Sequence, residues 1–124
     1  MTTHLNIMIH DTIDEFNQSA AAQFAEIVNQ AIKARGLAFV ALSGGGTPLG
    51  VYRLLAAEPY RSSVDWTAVQ FYWGDERCVP PQDPESNYAQ AAAALFAKLP
   101  VPAANIHRIQ GELGGAAAAA AYIG

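Results

Sequence analysis

Only one of the 124 residues, Cys78, is a cysteine, so neither an internal disulfide nor a cysteine-rich zinc site can form. Basic residues are scarce too. Seven Lys and Arg stand against eleven Asp and Glu, a formal net charge of −4, which supplies no basic footprint for nucleic acid or for an anionic membrane surface. No apolar run approaches the roughly 20 residues that span a bilayer; the alanine stretch near the C-terminus is short and weakly hydrophobic. The N-terminus lacks a basic segment followed by an apolar one, so the cytoplasm is the expected compartment. His4, His10 and His107 have no metal-ligand spacing and are assigned no role. What remains is a chain of one domain's length, residues 1–124, with a single core and no internal repeat or linker.

What the chain does have is a run of three glycines in a telling place. Leu37 to Leu42 lack polar alternation, as suits a strand buried on both faces of a parallel sheet. Gly44, Gly45 and Gly46 then permit positive φ and leave no Cβ in the way of a ligand. Thr47 is suited to cap the helix that follows and Pro48 to occupy its first position, leaving free N–H groups and a positive dipole end for a phosphate or carboxylate. The alternative is a glycine turn that merely lets strand and helix pack closely. Spacing sets two phosphate loops aside. No Lys-Ser or Lys-Thr pair follows Gly46, and the glycine a dinucleotide fingerprint needs at position 49 is Leu49, so neither a nucleoside triphosphate nor NAD is expected.

Periodicity places the other elements. Leu5, Ile7 and Ile9 alternate as a short strand. Thr12 to Arg35 reads as a helix with Phe16, Ala20, Phe24, Ile27, Val28, Ala31 and Ile32 on one stripe, a capping box at Thr12 and Glu15, and Gly36 as its stop. Pro48 to Ala57 continues as a short helix with Val51, Leu54 and Leu55 inward, Tyr60 to Asp65 as connection, and Ala68 to Trp73 as an aromatic, β-branched strand. A helix is expected from about Ser86 to Lys98, a third strand over Asn105 to Ile109, and the first turns of a helix at Ala116 to Ala121. The alternation predicts an α/β fold, an open and mainly parallel sheet with helices on both faces in a Rossmann-like arrangement.

Ligands in such sheets bind outside the carboxyl ends of the strands, so the glycine loop and the turn Gly74 to Arg77 are expected to be neighbours. Asp75 could orient a hydroxyl, hold water or act as a base, and Arg77 offers a planar fork for anionic oxygens, with Glu76 balancing it. A plain surface ion-pair turn fits the same three residues. Ser86 and Asn87 are explained by helix capping alone. Ser43 lacks the G-x-S-x-G elbow and a histidine partner, which removes a serine nucleophile. Trp66, Tyr72 and Trp73 read as packing.

In order and spacing, Ala41 to Leu49 (ALSGGGTPL), Tyr72 to Pro80 (YWGDERCVP) and Ser86 to Tyr88 (SNY) resemble the 6-phosphogluconolactonases. The likeness extends to Gly111 to Leu113 and the Ala-rich helix with Tyr122. It implies hydrolysis of a phosphosugar lactone, 6-phosphogluconolactone, without metal or cofactor. By position, Ser43, Gly44, Gly45, Gly46 and Thr47 would line the phosphosugar site, Asp75 would contact the sugar or water, Arg77 would bind an anionic group, and Asn87 would shape the pocket. The sequence DER at Asp75 to Arg77 separates the chain from the related glucosamine-6-phosphate deaminases, which carry DEY. Gly46 stands where the family often has serine. The resemblance also implies a general-base histidine in a G-x-G-x-D-G-H stretch beyond the Ala-rich helix, a stretch these residues do not contain. The expectation is an α/β unit incomplete at its C-terminus that binds better than it turns over. A deaminase-type enzyme and a non-catalytic phosphosugar-binding module are the other readings, and oligomeric state is left unaddressed.

Overall fold

The computed structural model describes residues 10–123. The expected strand at Leu5, Ile7 and Ile9 lies outside them. Helix α1, Ile13–Arg35, starts where Thr12 adopts extended backbone and its Oγ1 accepts the Glu15 N–H at 3.1 Å. It stops where Gly36, at φ 83°, returns its N–H to the Ile32 carbonyl at 2.7 Å. Asp14 and Glu15 at the start and Lys33 and Arg35 at the end complement the helix dipole. The buried stripe keeps Phe24, Val28, Ala31 and Ile32 of the expected one and departs from it at Phe16 and Ile27. Ala21, Ala25 and Val28 are buried, whereas Phe16 and Ile27 are 42% and 65% exposed. The close crossing with the next helix demands small residues: a Cβ on Gly50 would lie 2.4 Å from Asn17 Nδ2.

Strands β1, Ala38–Leu42, and β2, Val69–Trp73, pair in parallel with Ala38 opposite Val69 and Leu42 opposite Trp73. Between them run helix α2, Gly46–Leu55, and a single-turn helix α3, Tyr60–Ser63, where only connection was expected. Helix α2 begins one residue before Thr47. Its cap is Gly45, at φ 103°, and Thr47 and Pro48 occupy the second and third helical positions. Proline is harmless there because no N–H of the first turn has an intrahelical acceptor.

One face of the sheet carries Ala38, Leu42, Val69, Phe71 and Trp73 into the core, joined by Leu55, Trp66 and Leu95. Trp66 lies between Phe24 and Phe71, and Phe96 meets the edge of Phe71 at 5.1 Å. The other face carries Phe39, 64% exposed, and Tyr72, whose ring stacks on His107 at 4.5 Å. Helix α4, Asn87–Ala91, passes into one π-helical turn over Ala92–Phe96, so the expected long helix changes pitch midway.

The expected strand at Asn105 to Ile109 shrinks to a single bridge, Ile106 beside Phe71, with the His107 N–H on the Phe71 carbonyl at 2.9 Å. A side chain blocks the next rung. The Tyr122 hydroxyl, on helix α5, Gly115–Ile123, accepts the Trp73 N–H at 2.9 Å and donates to the Trp73 carbonyl at 3.4 Å. The fold is α/β, with a small parallel sheet and helical crossovers. No described helix is long and apolar enough to cross a membrane.

Candidate functional site

The parallel register brings the two loops together. Leu42 ends β1 opposite Trp73, and the Gly74 N–H continues the ladder onto the Leu42 carbonyl at 3.1 Å, so Ser43 and Gly74 leave the sheet side by side. The glycine loop is then fixed from below. The buried Tyr52 hydroxyl, one α2 turn and a half into the helix, donates to the Ser43 carbonyl at 2.7 Å and accepts the Ser43 N–H at 3.2 Å. Burial holds this phenol above its ordinary pKa, and the two Ser43 bonds pull the other way.

Each glycine does something different. A Cβ on Gly44 would fall 1.9 Å from Asn87 Oδ1, so this position belongs to the Asn87 amide. Gly45 supplies the positive φ that turns strand into helix, and its N–H reaches Gln90 Oε1 at 3.3 Å. Gly46 faces open space. Among the described residues the N–H groups of Gly44, Gly46 and Thr47 have no hydrogen-bond partner, and no side chain caps α2. Three amides are therefore available at a positive helix end.

Asn87 joins this loop to the neighbouring turn. It is 2% exposed, and its Nδ2 donates to the Asp75 carbonyl at 3.1 Å and to Asp75 Oδ1 at 3.3 Å. Capping falls to Ser86, whose Oγ accepts the Ala89 N–H at 3.2 Å, while Asn87 is the first helical residue and reaches back across the site. Asp75 itself is exposed. Arg77 also is exposed, and its guanidinium has no ion-pair partner among the described residues. Its carbonyl lies where a Cβ on Gly111 would stand, at 2.0 Å, which fixes the turn against the start of the C-terminal segment.

Glu76 does not balance Arg77 as the sequence suggested. Its carboxylate accepts the Asn87 and Tyr88 N–H groups at 2.6 and 3.0 Å, the Ser86 hydroxyl at 2.9 Å and the Arg77 N–H at 2.8 Å. Thr47 is likewise not the cap of α2, which is Gly45. Tyr52 and Gln90 are the residues that sequence reasoning overlooked, and Glu76 is the one it gave the wrong partner. A lone tyrosine on the buried face of a short helix needs a partner for its hydroxyl, and that was the available signal for Tyr52. His107, with Nε2 2.8 Å from Gln70 Oε1 and its ring on Tyr72, is hydrogen-bonded to none of these residues.

The family model for glucosamine-6-phosphate isomerases and 6-phosphogluconolactonase matches residues 11–123. A 6-phosphogluconolactonase of Haemophilus influenzae is 49% identical over 73 residues, 59% of this chain and 32% of that protein. That of Treponema pallidum is 36% identical over 110 residues, covering 89% of this chain and 45% of its own length. The structure of 6-phosphogluconolactonase from Trypanosoma cruzi superposes with a TM-score of 0.81 at 28% identity, over 98% of this chain and 49% of that one. The chain thus spans a third to a half of the length of these relatives. It belongs to the glucosamine-6-phosphate isomerase and 6-phosphogluconolactonase family.

Proposed function

We propose that this chain is the phosphosugar-binding unit, a single α/β domain over residues 1–124, of an enzyme that hydrolyses 6-phosphogluconolactone to 6-phosphogluconate. The observation that carries the reading is the set of unpartnered amides at Gly44, Gly46 and Thr47, beside a turn that bears an unpaired arginine. In this proposal the loop from Ser43 to Thr47 receives the phosphate through backbone N–H groups, and Arg77 adds a charged fork to anionic oxygens. Asn87 holds Asp75 at the rim, where its carboxylate meets the sugar hydroxyls or the attacking water. A lactone is an activated ester: water adds to the carbonyl carbon as a base takes its proton, donors hold the oxyanion, and collapse of the adduct breaks the ring C–O bond, the ring oxygen leaving as a hydroxyl with that proton; the base is worth about 10² to 10⁴ in rate. The ligand is a small anionic sugar, and the site works without a metal or cofactor in this reading.

The reading is tested by calorimetric titration with 6-phosphogluconate. Arg77→Ala should weaken binding about 10- to 100-fold, the worth of hydrogen bonds to a charged group, and leave the melting temperature unchanged because the side chain is exposed and unpaired. Equal affinity in wild type and Arg77→Ala refutes the site. Ammonia release from glucosamine 6-phosphate, with no lactone hydrolysis, would assign the chemistry to the other branch of the family.

A further inference from the structure

Four donors from two separate segments converge on one carboxylate. Glu76 Oε1 accepts the N–H groups of Arg77 and Asn87, at 2.8 and 2.6 Å, and Oε2 accepts the Ser86 hydroxyl and the Tyr88 N–H, at 2.9 and 3.0 Å. Arg77 belongs to the turn after β2, and the other three donors belong to the start of α4, beyond the proline-rich loop. We propose that Glu76 is a positioning residue for the phosphosugar site, fastening the turn that carries Asp75 and Arg77 to the first residues of α4. The proposal takes its ligand from the reading above; its geometry stands independently.

Glu76 and Asn87 close a small circuit. Glu76 holds the Asn87 backbone, and the Asn87 side chain in turn donates to Asp75 and fills the space a Cβ on Gly44 would need. A change at Glu76 therefore reaches both halves of the site, the amides of the glycine loop and the charged turn. An ordinary helix cap would affect α4 alone.

The charge state of the acceptor matters because every partner is a donor. Glutamine has the same shape, but its NH₂ group must face either the Tyr88 N–H and Ser86 hydroxyl or the N–H groups of Arg77 and Asn87. The Asn87 and Tyr88 amides sit at a helix start and have no intrahelical acceptor to fall back on. A turned Ser86 hydroxyl can accept from the NH₂ group, but the Tyr88 N–H in that orientation, or both the Arg77 and Asn87 N–H groups in the other, is left facing a donor.

The test compares wild type, Glu76→Gln, Ser86→Ala and Val28→Ala, the last removing core volume on α1 away from the site. Affinity for 6-phosphogluconate is measured by calorimetry and backbone amide exchange by NMR. Glu76→Gln should weaken binding by about tenfold or more and speed exchange at Arg77 and Asn87. Ser86→Ala, which removes one donor of four together with the acceptor of the Ala89 N–H, should do so less, and a loss of affinity with faster exchange at Arg77, outside α4, stands in should Glu76→Gln fail to fold. Val28→Ala should lower the melting temperature without changing affinity. Unchanged affinity in Glu76→Gln against a wild type that binds overturns the proposal, even with faster exchange, because Glu76 is then a helix cap only. A wild type that does not bind 6-phosphogluconate refutes the phosphosugar reading instead, and exchange at Arg77 alone then decides whether Glu76 holds the turn.

Discussion

Replacing Gly44 with alanine adds one methyl group to a place already filled. The new Cβ would stand 1.9 Å from Asn87 Oδ1 and 2.5 Å from its Cγ, distances that no real contact tolerates. Asn87 cannot swing aside freely, since it is 2% exposed and its Nδ2 is tied to Asp75 at 3.1 and 3.3 Å. Moving it leaves buried polar atoms unpaired, at about 1–3 kcal/mol, and overfilling the site adds about 1–3 kcal/mol. Gly44→Ala should therefore destabilise by about 2–6 kcal/mol, a fall in melting temperature on the order of 10 °C for a domain of this size. Thermal and urea unfolding measure it. Gly46→Ala is the control, because its Cβ meets open space and should stay within about 0.5 kcal/mol of wild type. The pair Gly44→Ala with Asn87→Ala should be no less stable than Asn87→Ala alone, because the collision is gone. A Gly44→Ala protein that melts with the wild type would refute the packing of this loop against α4.

Two further predictions concern single hydroxyl and ionic contacts. Tyr52→Phe deprives both backbone groups of Ser43 of their partner and should cost about 1–2 kcal/mol. Because burial raises the Tyr52 pKa in the folded state, the stability its neutral form contributes is present below the ordinary tyrosine value of ~10 and is lost as pH rises from there through the folded value. Unfolding curves across the alkaline range should show that loss in wild type and lack it in Tyr52→Phe. The Arg108 guanidinium grips Glu112 with two bonds of 2.8 Å and holds its carboxyl below the ordinary glutamate range. That contribution is present above the ordinary carboxylate value and disappears as pH falls through the folded one. An NMR titration should find the Glu112 midpoint depressed in wild type and returned to the ordinary range in Arg108→Gln, with the neutral-pH melting temperature little changed because the pair lies at the surface.

Much of the frame was readable from the chain. Thr12, Glu15 and Gly36 marked both ends of α1 because capping chemistry is local, and the apolar run before the glycines marked β1, although only one of its faces is buried: Phe39 is 64% exposed on the other, where the run had suggested cover on both. The adjacency of the glycine loop and the Gly74 to Arg77 turn followed from the rule for strand ends. Facing and pairing were harder. The stripe on α1 was misjudged at Phe16 and Ile27 because the crossing near Gly50 selects small residues over large ones, a tertiary matter. The third strand was overestimated because a hydroxyl from α5, some fifty residues along, took the rung it needed. Glu76 was assigned to its neighbour in sequence, whereas its partners lie across the proline loop, where no periodicity points.

The phenol of Tyr122 has a consequence for how the sheet ends. It offers β2 one acceptor and one donor, the pair that in a parallel neighbour would come from the two residues flanking the one opposite Trp73. The outer rim of β2 is thus sealed by backbone at Phe71 and by a helix side chain at Trp73, which covers the edge without a full third strand.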